Sequence, residues 1–148
     1  MTEDTGTEDT DTAAAVESMK AHVWNLLEQE GYRGIAADED GDIRYKAEGL
    51  SLVMIFNDRD PGYLRLALPS FWPIDDDAER ATAYRIGNDI TRDSKCVSIF
   101  VTPNDNVWAS VEWLTTGPEA IDGPTLVRLS EMLLAGAGEF RREMQAAG

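Results

Sequence analysis

Apolar residues recur along this chain with two periods, and the change of period divides it into elements. Val16, Met19, Val23, Leu26 and Leu27 fall at the three- and four-residue spacing that lines one face of an α-helix. Thr12 is placed to cap that helix and Gly31 to end it. After Gly31 the pattern shortens to runs over 32–37, 42–47 and 50–57, separated by Asp-Glu-Asp-Gly and Glu-Gly. Short apolar runs bounded by turn residues predict antiparallel strands joined by tight hairpins. Asp60-Pro61-Gly62 predicts a further turn, and Leu64, Leu66 and Leu68 then alternate along a strand over 63–68.

Helical spacing returns over 76–92, where Ala83, Ile86, Gly87 and Ile90 share a side and Asp75, Asp76 and Asp77 supply carboxylates for the first turn. Runs over 95–102 and 107–115 flank Pro103-Asn104-Asp105-Asn106 and predict a second hairpin. The last segment opens on Asp122 as N-cap with Pro124 just inside. It carries Leu126, Leu129, Leu133, Phe140 and Met144 on a broad stripe to about Gln145. Gly136 and Gly138 interrupt this helix, either to let a neighbour approach or as tolerated weak points. The order α-β(meander)-α-β-β-α predicts an α+β fold, an antiparallel sheet with helices mainly on one face.

Composition changes the picture at the start of the chain. Residues 2–12, TEDTGTEDTDT, offer too little apolar surface to offset the entropy of ordering. They are expected to form a disordered acidic tail, 1–12, ahead of one domain over 13–148. Twenty-eight acidic against thirteen basic residues give a formal charge of −15, which repels nucleic acid and anionic lipid alike. The longest apolar run, 52–56, is far too short to cross a bilayer. The single cysteine, Cys96, forbids an internal disulfide and suits a reducing compartment, and the acidic start lacks a signal-peptide pattern. A cytoplasmic protein is expected, without nucleic-acid or membrane partners.

The candidate chemistry is sparse. The stretch from Asp38 to Asp42 resembles a calcium loop in composition, but the sixth position would be Ile43 and the twelfth Gly49, where such a loop needs glycine and a bidentate glutamate. A hairpin turn is the better reading. Consecutive carboxylates at 75–77 point in different directions on a helix and suit capping better than an ion. His22 is the only histidine and Cys96 opens a strand after Lys95, which gives a weak basis for a nucleophile and its base. The glycines fit no nucleotide-binding fingerprint. No catalytic residue, cofactor or metal is expected. A carboxylate enzyme drawing on Glu48, Asp58 or Glu112, or a small-molecule sensor, stand as alternatives.

What stands out instead is four tryptophans in a small domain, a residue enriched at interaction surfaces as well as in cores. Trp108 and Trp113 have opposite parity on one strand, so one of them should face away from the core. Trp108, Trp113, Trp72 and, on the second helix, Tyr84 are the candidate partner-binding residues.

The helix carrying Asn88 and Ile90, the strand Lys95-Cys96-Val97-Ser98-Ile99 and the strand Val107-Trp108-Ala109-Ser110-Val111-Glu112 together resemble the YbjN family. The element order over 13–145 is also similar to the type III secretion chaperone fold. The resemblance implies a compact α+β protein without enzymatic chemistry, commonly a homodimer, that regulates sensory transduction or holds a protein partner in extended form. It supplies no site residues of its own. A chaperone-like or regulatory module that binds a protein or peptide segment is the expectation.

Overall fold

The computed structural model describes residues 5–148. Helix α1 spans Thr5–Gln29 and buries Val16, Met19, Val23 and Leu27. It ends where Gly31 turns to φ 81°. There the Gly31 N–H donates to the Glu28 carbonyl (3.0 Å) and the Tyr32 N–H to the Leu27 carbonyl (3.1 Å), a left-handed cap that glycine adopts without a Cβ penalty. The start differs from the sequence expectation: Thr12 lies inside the helix rather than capping it. Of the expected tail, residues 1–4 lie outside the described residues. Glu8, Asp9, Thr10 and Asp11 are helical and exposed, and burial begins at Val16.

A meander follows, β1 (Arg33–Ala37), β2 (Ile43–Ala47), β3 (Leu50–Asn57) and β4 (Asp60–Pro73), then α2 (Asp77–Asp93), the hairpin β5 (Ser98–Val101) and β6 (Asn106–Leu114), and α3 (Gly123–Ala147). The turn into β4 falls at Asp58 and Arg59, so Asp60-Pro61-Gly62 belongs to the strand instead of the bend. Asn57 fixes it: its Oδ1 accepts from the N–H groups of Arg59 (2.9 Å) and Asp60 (3.1 Å), the Asx-turn chemistry that competes with a proline-glycine bend. β4 also outruns its expected end at Leu68. Its register shifts between Leu68 and Trp72, and Ser70 takes φ 48° there. This irregularity accommodates Pro69, which lacks a ladder donor. β5 begins at Ser98, not Lys95, because Cys96 at φ 67° breaks the extended path.

The strands form one antiparallel sheet in the order β1-β2-β3-β4-β6-β5. Tyr45, Leu52, Met54, Leu64, Leu66, Leu68, Ala109 and Val111 share a cluster with the buried stripes of the helices, so the helices lie on one face. Asp76 caps α2 by accepting from the Glu79 N–H (2.8 Å), and Glu79 Oε2 reaches back to the Asp75 N–H (3.1 Å). Asp122 caps α3 on the Thr125 N–H (2.7 Å) with Pro124 inside, as the sequence predicts.

The glycine question in α3 resolves differently at its two positions. A Cβ at Gly136 would sit 3.0 Å from Val97 Cγ1, whereas one at Gly138 would meet only Arg142 Nη1 at 3.5 Å. Gly136 is therefore a close-approach position and Gly138 a weak point. Gly138→Ala should stabilise the protein by about 0.5–1 kcal/mol through helix propensity, and Gly136→Ala should gain nothing or lose. Urea unfolding of the pair checks this, and equal gains at both sites would refute the packing role of Gly136.

Candidate protein-binding face of the sheet

The face of the sheet away from the helices is carried by residues of opposite parity to the core. Directly paired residues share a face, and one row can be followed across the whole sheet through Ala36, Arg44, Val53, Ala67, Ser110 and Ser98. At its centre Val53, Ala67 and Ser110 are at most 3% exposed although none of the described helices packs on them. They form the floor of a shallow trough, sealed by taller neighbours in the rows on either side. One wall holds Ile55, Arg65 and Glu112; the other runs from Arg33 and Lys46 to Trp108 and Phe100.

The walls are mutually organised. The Phe100 and Trp108 rings lie 6.0 Å apart, and the Arg65 guanidinium sits 5.9 Å from the Phe100 centroid, within cation-π range. Arg65 Nη2 donates to Glu112 Oε1 at 2.9 Å, and the Tyr63 hydroxyl donates to Glu112 Oε2. The Tyr63 hydroxyl, and then Arg65, hold the Glu112 carboxyl below the usual carboxylate range, while the same carboxylate pushes the Tyr63 phenol up. Among the described residues, the buried side-chain polar atoms without a hydrogen-bond partner are Arg65 Nε and Ser110 Oγ, both on this face. Leu114, 76% exposed, closes one end of it.

The two outer edges of the sheet differ. At β5 the Thr91 hydroxyl of α2 accepts from the Ile99 N–H (2.8 Å) and faces the Ile99 carbonyl (3.4 Å), occupying the backbone groups there. β1 ends the strand order on the other side, with four of its five residues exposed, an open edge of the kind that accepts an added strand.

The candidates named from the sequence are dispersed. Trp108 stands on the open face. Trp113 pairs with Leu64 and packs half-buried against the core. Trp72 does so too, its ring centroid 6.0 Å from that of Phe140 and its Nε1 donating to Glu79 Oε1 at 2.7 Å, beside a cavity of about 480 Å³ between the start of α2 and the end of α3. Tyr84 is 56% exposed on α2. Phe100, Arg65 and Leu114 were missed; the run of apolar residues without alternation over 52–56 was the available sign that both faces of the sheet carry bulk.

The groups considered for chemistry do not assemble. Glu48 and Asp58 lie beyond opposite ends of the eight-residue β3, roughly 27 Å of extended chain. His22 Nε2 is 2.8 Å from the Ile121 carbonyl, while Cys96 is exposed in the loop before β5. Asp38, Asp40 and Asp42 gather carboxylate oxygens within 4.8 Å, but Asp38 Oδ1 accepts from the Asp40 and Asp42 N–H groups and Asp42 Oδ1 from that of Phe56, the bonding of a hairpin turn. Burial pushes the Asp42 carboxyl up. Among the described residues no helix is long and apolar enough to cross a membrane.

No family model matches the chain, and no curated protein matches its sequence. Solved structures do. SycH, a type III secretion chaperone of Yersinia pestis crystallised with a stable fragment of YscM2, superposes with a TM-score of 0.59 at 13% identity over 82% of this chain and 98% of its own. The fold is type III secretion chaperone-like. A chain of the HopA1-SchA chaperone-effector complex gives 0.62 at 12% identity, covering 86% of this chain and 97% of that one. One of the ExsC-ExsE complex gives 0.57 at 11%, covering 86% and 93%. At such identities the likeness is one of fold, and the YbjN resemblance has no counterpart among these structures.

Proposed function

We propose that this protein is a non-enzymatic, chaperone-like or regulatory module whose open sheet face holds an extended segment of a protein partner. The observation that carries this reading is the face itself: none of the described helices covers it, and above its sealed floor it presents the half-buried pair Phe100 and Trp108 and the exposed Leu114. Exposed apolar side chains gathered on one face are costly to leave wet. The similar solved structures, each crystallised as a complex with a protein, and the YbjN resemblance support it from outside. The protein acts as a cytoplasmic homodimer in this reading, with Tyr84 on α2 as the contact between copies. The open β1 edge offers backbone pairing to the same segment.

Site-specific photo-crosslinking tests it. A photoreactive residue at Phe100 should trap a discrete protein partner in cytosol of the source organism, one at Tyr84 should double the mass of the chain, and one at Arg128, exposed on α3, should trap neither. Silence at Phe100, or equal labelling from Phe100 and Arg128, would overturn the reading.

A further inference from the structure

The strand positions of the open face carry more cations than acids, against the balance of the protein as a whole. With twenty-eight acidic residues against thirteen basic ones in the chain, the strand positions around the trough carry Arg33, Arg44, Lys46 and Arg65 and a single acid, Glu112, which Arg65 and Tyr63 already engage. Arg44 has a salt bridge to Asp38 at 3.3 Å. Among the described residues neither Arg33 nor Lys46 has one, and the register sets these two cations directly opposite each other. Like charges in directly opposed positions destabilise a sheet. Nothing in the fold requires them: both side chains are exposed, and Arg33 heads an edge strand with only β2 beside it. Glu48 and Glu131 share with Arg33 and Lys46 the lining of a cavity of about 430 Å³ at the end of this strip, without closing an ion pair to either. A cost the fold keeps without benefit to itself is the mark of a ligand that supplies the missing charge.

We infer that the segment held on this face is acidic at one end and apolar at the other, a deepening that rests on the function proposed above. Lys46 and Trp108 lie in the same wall of the trough, on β2 and β6, which the strand order separates by three inter-strand steps, about 14 Å. An extended chain covers that distance in about four to five residues. The segment therefore places carboxylates over Arg33, Arg44 and Lys46 and, about five residues further along, an aromatic or large aliphatic side chain against Trp108 and Phe100. The net negative charge of the rest of the protein opposes its approach little, because salt screens exposed charges beyond about 8 Å under physiological conditions. The local cations decide the contact.

The test uses the full chain and three labelled peptides: Glu-Glu-Glu-Ser-Gly-Ser-Trp-Leu, its Lys-for-Glu counterpart, and a Ser-for-Glu counterpart that keeps the apolar end. The acidic peptide should bind at least tenfold more tightly than the lysine form and should lose at least tenfold between low and high salt. Arg33→Glu should weaken it at least tenfold. The same substitution turns a repulsive cross-strand pair into an attractive one by setting a carboxylate opposite Lys46. The melting temperature should therefore rise as binding falls, which a merely structural role for Arg33 would not produce. Arg128→Glu should leave binding unchanged.

Equal or tighter binding of the lysine peptide, or an Arg33→Glu variant that binds normally, would overturn the inference. If the Ser-for-Glu peptide then still binds and loses affinity in Trp108→Ser, the protein-binding reading stands alone. If none of the peptides binds, both fail. Tighter binding of oligothymidylate than of the acidic peptide would assign the cations to nucleic acid and equally overturn the inference.

Discussion

Replacing Phe140 with alanine should lower the unfolding free energy by about 3–5 kcal/mol, the range for deleting a fully buried aromatic ring. Phe140 is inaccessible to solvent in α3, where it meets Phe71 edge-on at 5.5 Å and Trp72 at 6.0 Å. Those two rings belong to the end of β4, Phe71 within the register shift and Trp72 where pairing with β6 resumes at Val107. That stretch carries Pro69 and Pro73, each without a ladder donor, so side-chain packing adds to the backbone pairing that resumes at Trp72. Alanine would leave a cavity that the prolines and the bulge cannot close by moving the strand, which places the cost toward the upper part of the range. Phe140→Leu, which refills most of the volume, should cost about half as much or less. Urea unfolding followed by circular dichroism measures both. A loss under 1 kcal/mol for the alanine variant would show that α3 does not anchor the end of β4.

The parts of this fold that were legible in the sequence are those where one periodicity acts alone. Leu64, Leu66 and Leu68 alternate cleanly because β4 has one face in the core there, and α3 reads from Asp122 onward because cap, proline and stripe agree. Where two local preferences competed, the reading slipped. Asp60-Pro61-Gly62 has bend composition, yet the Asn57 side chain just ahead of it satisfies the turn first. Pro69 reads as a strand end, yet a bulge carries the strand past it.

The candidate face was less legible for a different reason. Parity shows that Trp108 and Trp113 diverge, but only the pairing of β6 with β4, which sets Trp113 against Leu64, decides which one turns outward. Arg44 and Lys46 alternate with Ile43, Tyr45 and Ala47 in plain view. Their meaning depends on which face of the sheet the described helices cover, a long-range property that no local pattern encodes.

The buried contact between Tyr45 and Ser130 has an assignable direction, and that direction fixes what its removal should cost. Ser130 Oγ lies 2.8 Å from the Leu126 carbonyl and 2.7 Å from the Tyr45 hydroxyl. A carbonyl can only accept, so the one serine proton goes to Leu126 and the phenol must donate to Ser130. Ser130→Ala therefore strands a phenol donor in a fully buried site, costing about 1–3 kcal/mol, whereas Tyr45→Phe removes the donor itself and should cost about 1 kcal/mol. The double variant should cost less than the two single losses added together, with a coupling of about 0.5 kcal/mol or more; strict additivity would show that the bond contributes nothing. Burial also pushes the Tyr45 phenol up. Its folded pKa then exceeds its unfolded value of about 10, so the stability linked to it is complete below that pH and falls as pH rises above it, where the unfolded chain sheds the proton and the folded chain retains it. Unfolding measured from pH 9 to pH 11 should show a steeper alkaline loss for the parent protein than for Tyr45→Phe.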